Sequence, residues 1–382
     1  MRNLKVWGAL FPVLFVAAAT GWTQDMGRLT YIEGEVQLIR DGRIRDALDL
    51  TIGTPLMEMD VIQTGSDGYA EIELNQPSGT AVRVRENTAY YIEVEPETGG
   101  ATTTRMKVLS GTVEVAVGRM SRGSRLDVVT RSATFGVRGT QFDVITAPDE
   151  SSLLGVREGR VAVSAGQQQQ VAEAGQAVQS VPDQPLRQEV VPGGDFDAYY
   201  ARWQELRMTV FKNGAPVFVQ AYIKRYLDTV DSFDRAYKDL MRHRPRLEEA
   251  LSGNSPLGAD IRLRQEVSPA LISMRSVLPL FEDTVYRLRD LRRYHEQGIG
   301  RTTVGSVNSG EFFAGFARRE NELIGRLAEV RTVFSLYNQV ERRSFGGLPG
   351  GKSPFGGDSL FPGELTPGGM SPGGTSPGGI SR

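Results

Sequence analysis

The sequence has no cysteine and only two histidines among its 382 residues. The absence of cysteine excludes disulfides, thiolate nucleophiles, cysteine-ligated metals and the lipid-modified cysteine of lipoproteins. Because His243 and His295 are the complete set of histidines, a histidine-based metal cluster is not expected either. We therefore predict no catalytic residue, no cofactor site and no metal site.

Long apolar runs are also scarce, and the one that stands out lies at the N-terminus. Arg2 and Lys5 precede an almost wholly apolar stretch from 6 to 19, and small residues follow up to Gly21. This order is typical of a Sec-type signal peptide, and the run is short for a membrane-spanning helix. We predict a signal peptide over residues 1–24, a retained N-terminal anchor being the alternative. The mature protein is expected to be periplasmic, with no transmembrane span.

Acidic and basic side chains are unevenly distributed along the chain. Residues 25–195 hold 16 Lys and Arg against 25 Asp and Glu, a net charge of −9. Residues 196–345 hold 24 against 19, a net charge of +5. This asymmetry fits two ordinary solvated surfaces, or electrostatic complementarity between the halves or with a partner. Nucleic acid is not an expected partner, since the chain is net acidic and shows no binding motif.

Residues 28–181 show the pattern of an all-β domain. Apolar residues alternate with charged ones over short segments, as in YAEIEL from Tyr69, and turn signals such as Asp67-Gly68 separate the segments. A faint internal repeat has three copies: EGEVQL from Glu33, SGTVEV from Ser110 and EGRVAV from Glu158. We predict a β-solenoid or a rolled sandwich of short strands.

The segment SATFGVRGTQFDV, residues 132–144, is the main candidate motif of this domain. Its two glycines predict two strand pieces joined by a tight bend or bulge. Arg138 is expected to be structural and to pair with Asp143 or Glu158, a ligand-binding role being the alternative. The motif residues, predicted to be mainly structural, are Phe135, Gly136, Val137, Arg138, Gly139, Thr140, Phe142 and Val144.

This motif resembles the hallmark segment of the FecR-domain family. Other segments also resemble this family: DVIQTGSDGYAEIEL from Asp60, the two Gly-x-Val-x-Val units from Ser110 and Glu158, and VAEAGQAV from Val171. Together these segments extend the resemblance over residues 29–180. It implies a periplasmic module. In signalling members, a cytosolic N-terminal segment contacts a sigma factor, one helix crosses the membrane, and the periplasmic part receives a signal from an outer-membrane receptor. Only five residues precede the apolar run here, so we expect no cytosolic sigma-factor-binding segment.

The second half changes character. Residues 182–194 are rich in Pro and Gly and predict a linker, and residues 195–345 predict an α-helical bundle or coiled-coil hairpin. The first helix is expected to end or kink at Asn213-Gly214 and Pro216. A heptad seam predicts a helical core first and a partner or dimer surface second; it comprises Val267, Leu271, Met274, Leu278, Phe281, Val285 and Leu288. Residues 346–382 predict a disordered Gly/Pro-rich tail.

Together these features indicate a non-catalytic exported protein that acts as a binding or scaffold module of the periplasm or cell envelope. The expected partner is an envelope protein or a cell-wall component, and the helical domain could also form a homo-oligomer. One alternative is a periplasmic signal-sensing regulator coupled to an outer-membrane receptor. A second alternative is a glycan-active envelope enzyme with two converging carboxylates.

Overall fold

The computed structural model describes residues 25–96, 102–253 and 257–345. The predicted signal peptide and the predicted Gly/Pro-rich tail lie outside these residues. Within them, eighteen strands precede four long or medium helices, which confirms a β-rich region followed by a helical one.

The β region begins at Asp25 and ends at Val190. Its strands are β1 Asp25–Glu33, β2 Val36–Arg40, β3 Arg43–Asp46, β4 Pro55–Met57, β5 Val61–Thr64, β6 Tyr69–Leu74, β7 Thr80–Val84, β8 Ala89–Pro96, β9 Thr102–Ser110, β10 Thr112–Ala116, β11 Arg125–Val129, β12 Thr134–Val137, β13 Gln141–Thr146, β14 Ser152–Glu158, β15 Arg160–Ala165, β16 Gln168–Glu173, β17 Gln176–Ser180 and β18 Arg187–Val190.

These strands form two nine-stranded sheets. The first has the order β18-β17-β14-β13-β10-β7-β6-β1-β4, and the second has the order β16-β15-β12-β11-β9-β8-β5-β2-β3. Successive strands and hairpins alternate between the sheets, and the neighbours are antiparallel except for β9 with β11. Of the two predicted architectures, the described residues therefore show two packed sheets and not a closed solenoid.

The core of this sandwich lies between the sheets. Val82 and Val113 of the first sheet and Leu126 and Val161 of the second sheet belong to one apolar cluster and are almost fully buried. In strands such as β7 and β15 the buried residues recur at every second position, so one face of each sheet meets the other sheet. The period-two pattern seen in the sequence is the direct cause of this packing.

The helical region contains α1 Phe196–Met241, α2 Arg244–Ser252, α3 Leu257–Glu296 and α4 Ser309–Phe345. Two short strands, β19 Thr303–Val304 and β20 Val307–Asn308, form a hairpin between α3 and α4. Helices α1, α3 and α4 pack on one another, and α3 and α4 also pack against the second sheet at β9 and β2. Ile39, Val61 and Tyr91 of that sheet belong to the same apolar cluster as the helices.

The predicted heptad seam lies inside this cluster. All seven of its residues are at most 3% exposed. The seam is therefore covered within one chain, and the same face cannot also serve as the dimer surface considered above. Helix α1 also differs from expectation, because it continues through Gly214 and Pro216 to Met241. Phe211, Ala215 and Val219 are buried there, and this packing outweighs the local preference for a break.

The segment predicted as a linker, residues 182–194, contains strand β18. Gln188 of β18 pairs with Val178 of β17, so this segment forms the edge of the first sheet. All four residues of β18 are exposed and lack apolar alternation, which is why the sequence pattern did not reveal a strand. Among the described residues, no helix has the length and apolar character needed to span a membrane.

Candidate functional site

The motif of residues 132–144 forms a hairpin-like crossing between the two sheets. Strand β12 belongs to the second sheet, residues 138–140 form the bend, and β13 belongs to the first sheet. Phe135, Val137, Phe142 and Val144 are at most 5% exposed and lie in the core between the sheets. The motif therefore extends from one end of the sandwich to the other and back.

The bend depends on one of the two glycines. Gly139 has a φ of +63°, a left-handed conformation that favours glycine, whereas Gly136 lies in the extended strand β12. A Cβ at Gly136 would meet its nearest neighbour, Asp127 Oδ1, at 3.5 Å, an ordinary contact. The prediction that both glycines serve the bend is thus wrong for Gly136.

Arg138 is exposed at the bend, and within the described part of the chain it makes no ion pair. The expected pairing with Asp143 or Glu158 is therefore wrong, and for Asp143 the orientation of its side chain gives the reason. Asp143 points to the outer face of the first sheet, where Arg157 Nε donates to it at 2.7 Å and the Tyr200 hydroxyl at 2.7 Å.

Beside the other end of the motif, four residues connect the β region to the helices. We call these residues the junction: Arg131, Glu150, Tyr222 and Asp283. Arg131 Nε donates to Glu150 Oε2 at 2.6 Å, and its Nη1 donates to Asp283 of α3. The Tyr222 hydroxyl of α1 also donates to Glu150. One arginine next to the motif thus links a loop of the β region to two helices.

Burial and charge shift the pKa values of the junction in opposite directions. Burial alone would raise the pKa of the Glu150 carboxyl, but the Tyr222 hydrogen bond and the Arg131 charge outweigh it, and the pKa is lowered. Burial raises the pKa of the Asp283 carboxyl, and the charges of Arg131 and Arg287 offset only part of this effect. The junction therefore holds Glu150 as a stable anion and Asp283 as a less favoured one.

Two further contacts join the same loop to the helices. Arg207 of α1 forms an ion pair with Asp149, whose side chain is 2% exposed. Arg287 of α3, 4% exposed, donates from Nη1 to the Ala147 carbonyl at 3.2 Å. Arginines of the basic half thus meet acidic or carbonyl groups of the acidic half, as the complementarity interpretation of the charge asymmetry predicts.

A buried polar cluster lies further along the interface between the second sheet and the helices. Arg331 of α4 forms an ion pair with Glu282 of α3, and their side chains are 2% and 1% exposed. The Tyr91 hydroxyl of β8 donates to Glu282 at 3.3 Å, and the Arg331 guanidinium lies 4.7 Å from the Tyr91 ring centre. Burial and then the Glu282 charge raise the pKa of Tyr91 well above its usual value.

Helix α1 also binds the outer face of the first sheet. Its N-terminus is capped by Asp195, and Phe196, Tyr200 and Trp203 pack with Ile145 and Leu153. Gly155 of β14 is needed at this contact, because a Cβ there would lie 1.9 Å from the Tyr200 hydroxyl oxygen.

In the described residues, sites that could bind a metal ion or a small molecule are less developed than the junction. No group of three or more side chains in residues 25–96, 102–253 and 257–345 is arranged to hold a metal ion. A shallow groove of about 360 Å³ lies at the β1 and β6 ends, between Glu33, Asp67, Tyr69 and Arg85. The Tyr69 hydroxyl in this groove donates to Glu71 at 2.6 Å. Burial, as the largest cause, raises the pKa of Tyr69 to about 12.

The junction was not predicted from the sequence. Arg131 directly precedes the motif, but Asp283 lies 152 residues away, and neither residue type nor local spacing indicates that they meet. The uneven charge of the two halves was the only signal, and it carries no information about individual partners.

Comparison with known proteins gives one match to a family model. Residues 60–162 match the model described as FecR protein. No curated protein matches the chain. Among solved structures, the chain is similar to two crystal structures of a candidate anti-sigma factor from Parabacteroides distasonis, with 20% and 21% identity and a TM-score of 0.31 for each.

The likeness to these structures is partial. It covers 37% of this chain and 63% or 64% of those chains, and a TM-score this low supports no argument about function. The family match, in contrast, spans β5 to β15 and includes the motif with its bend. Residues 60–162 of this chain therefore match the FecR domain.

Proposed function

We propose that this protein is a non-catalytic, regulator-type FecR protein of the periplasm, which binds a partner and passes the bound state on through its helices. The FecR match favours such a regulator over the passive scaffold that we expected as the first function. The burial of the heptad seam adds to this preference, because the seam was the main argument for a scaffold or oligomer surface.

The observation that carries the proposal is the junction. Arg131 links the start of the FecR motif to α3 through Asp283 and to the loop of Glu150, which in turn accepts from α1. A change in the position of the motif would alter these charge-assisted hydrogen bonds directly. Polar interfaces of this kind are less stable than apolar ones of equal size, which suits an interface that must change its state.

The proposal is tested by gene disruption with transcript profiling, followed by complementation. A regulator predicts that a discrete set of transcripts changes and is restored by the wild-type protein. Arg131→Gln should fail to restore this set at equal protein abundance. Arg202→Gln, which removes an exposed arginine of α1, is the matched control and should restore it. Unchanged transcripts combined with a weakened envelope would instead support the scaffold function.

The proposed location has its own test. Cell fractionation and sequencing of the mature N-terminus should find the protein in the periplasmic fraction, starting near residue 25. A protein that remains in the membrane fraction with the apolar segment intact would contradict the predicted cleavage. In-cell crosslinking from the same cells would then identify the partner by mass spectrometry.

A further inference from the structure

The end of the sandwich that carries the Arg138 bend holds an unusual concentration of arginines. The loop between β10 and β11, the motif bend and the turn between β14 and β15 meet at this end. We call it the arginine end, defined by Arg119, Arg122, Arg125, Arg138 and Arg160. All five side chains are exposed, and within the described residues none of them makes an ion pair.

Three of these arginines lie side by side on neighbouring strands. Val137 of β12 pairs with Leu126 of β11 and with Val161 of β15. One residue further toward this end, Arg138 is therefore flanked by Arg125 and by Arg160. Adjacent strands are about 4.8 Å apart, so the three positions form a row about 10 Å long.

The backbone keeps this row in place. Gly159 has a φ of +81°, and a Cβ there would lie 2.6 Å from Thr140 Cγ2 and 3.0 Å from the Gly139 carbonyl oxygen. The turn before Arg160 thus packs directly on the bend after Arg138. Val117 N–H also donates to the Thr140 carbonyl at 2.9 Å, which ties the third loop to the same bend.

Like charges at adjacent positions repel each other, so a row of unpaired arginines is costly unless an anion binds there. Three acids lie nearby: Glu173 is opposite Arg160 on β16, Glu158 precedes the turn, and Asp127 lies two residues after Arg125 on β11. None of the five arginines forms an ion pair with these acids. The arginine end therefore keeps a net positive charge that the described part of the chain does not neutralise.

We propose that the arginine end binds an anionic polysaccharide, a linear glycan whose repeating units carry carboxylate or phosphate groups. Arginine recognises both groups through paired N–H donors. A row of exposed arginines matches a chain of regularly spaced anions better than one small ion, since each side chain in the row can contact a different anionic group.

Other macromolecules fit less well. Among the described exposed large apolar side chains, only Val171 of β16 lies on a strand next to this end, so the arginine end lacks the apolar centre that protein interfaces use. It also has no exposed aromatic ring on which nucleic-acid bases could stack. This proposal is independent of the regulator function, because it concerns the opposite end of the motif from the junction.

The test is binding of the purified mature protein to polygalacturonate oligomers, measured by titration calorimetry. If three arginines contact the polymer, affinity should fall roughly a hundredfold between about 20 mM and about 200 mM salt. The triple variant Arg125→Gln/Arg138→Gln/Arg160→Gln should lose about tenfold or more in affinity at the lower salt concentration. A phosphorylated mannan, tested in parallel, shows which anionic group is preferred.

The matched control is Arg202→Gln/Arg262→Gln/Arg318→Gln, which removes the same charge from exposed helix positions. It should bind polygalacturonate as the wild type does. Neutral dextran of equal length should not bind. Equal binding of poly-L-glutamate, equal loss in both triple variants, or no binding at low salt would each overturn the proposal. Unchanged thermal melting of both variants would show that any loss is not due to unfolding.

Discussion

Arg331 and Glu282 form an ion pair that is almost completely removed from water, at the place where the helices meet the β region. Tyr91 contacts both members of the pair: its ring faces the Arg331 guanidinium, and its hydroxyl donates to the Glu282 carboxylate. Such a pair contributes little net stability, since removing both charges from water costs about as much as their attraction returns. It does, however, strongly penalise any state in which only one of the two charges is buried.

The first prediction follows from this asymmetry. Glu282→Gln should lower the free energy of unfolding by about 3–5 kcal/mol, because Arg331 would stay buried without a counter-charge. The double variant Glu282→Leu/Arg331→Met should be within about 1–2 kcal/mol of the wild type, or more stable. Urea unfolding of the purified protein measures both. If the single variant costs as little as the double variant, the pair is not buried as described.

The second prediction concerns the junction. Arg131→Gln removes the charge that Glu150 and Asp283 share, and each lost charge-assisted hydrogen bond is worth about 1.5–3 kcal/mol. Amide hydrogen exchange near Tyr222 of α1 and near Asp283 of α3 should therefore become roughly tenfold to a hundredfold faster.

A control arginine separates this effect from a general loss of charge. Arg202→Gln changes the net charge equally but removes an exposed side chain of α1, and it should leave exchange at Tyr222 unchanged. Unaltered exchange in Arg131→Gln, or equal acceleration at the distant α2, would contradict a local link between motif and helices.

Much of the architecture could be predicted because it depends on local patterns. Alternating apolar residues predicted the strands, and the heptad spacing of apolar residues in α3 predicted a buried helical seam. Strand β18 was missed, because an exposed edge strand needs no apolar face and is held only by backbone pairing with β17. The burial of Asp143 was missed for another reason: its partners Arg157 and Tyr200 lie on a different strand and on a helix.

The candidate site was harder to predict than the fold. The motif residues were named, but the sequence assigned Arg138 a partner on the wrong side of the sheet. Residue 143 lies on a core strand between Phe142 and Val144, so alternation alone places its side chain on the outer face, away from the bend. Which outer-face groups meet Asp143 depends on where α1 packs, and no local signal encodes that position.

The third prediction tests the packing of α1 on the first sheet. Gly155→Ala should cost about 1–3 kcal/mol in unfolding free energy, because the new methyl group would collide with the Tyr200 side chain. In a Tyr200→Leu background the same substitution should cost clearly less, since the ring is absent. Gly136→Ala is the matched control: it is also a strand glycine, but its Cβ has ordinary contacts, and we expect a change near zero. An equal cost of Gly155→Ala in both backgrounds would contradict the described contact.

The last prediction uses the pH dependence of Asp143. Burial is the largest cause that raises the pKa of this carboxyl above 3.8, and the Tyr200 and Arg157 hydrogen bonds offset only part of it. A carboxyl with a raised pKa in the folded state contributes stability that is complete below pH 3.8 and is lost as the pH rises through the folded-state pKa. Asp143→Asn removes this loss.

The unfolding free energy of Asp143→Asn relative to the wild type should therefore become more favourable as the pH rises from the acidic range to neutrality. Comparison with the wild type at each pH cancels other titrating groups, including His295, whose pKa is lowered mainly by burial. Asp183→Asn removes an exposed carboxyl beside the same sheet and should follow the wild type at every pH. A relative stability of Asp143→Asn that falls with rising pH would show that Asp143 is stabilised as an anion, so that its ion pair with Arg157 outweighs its burial.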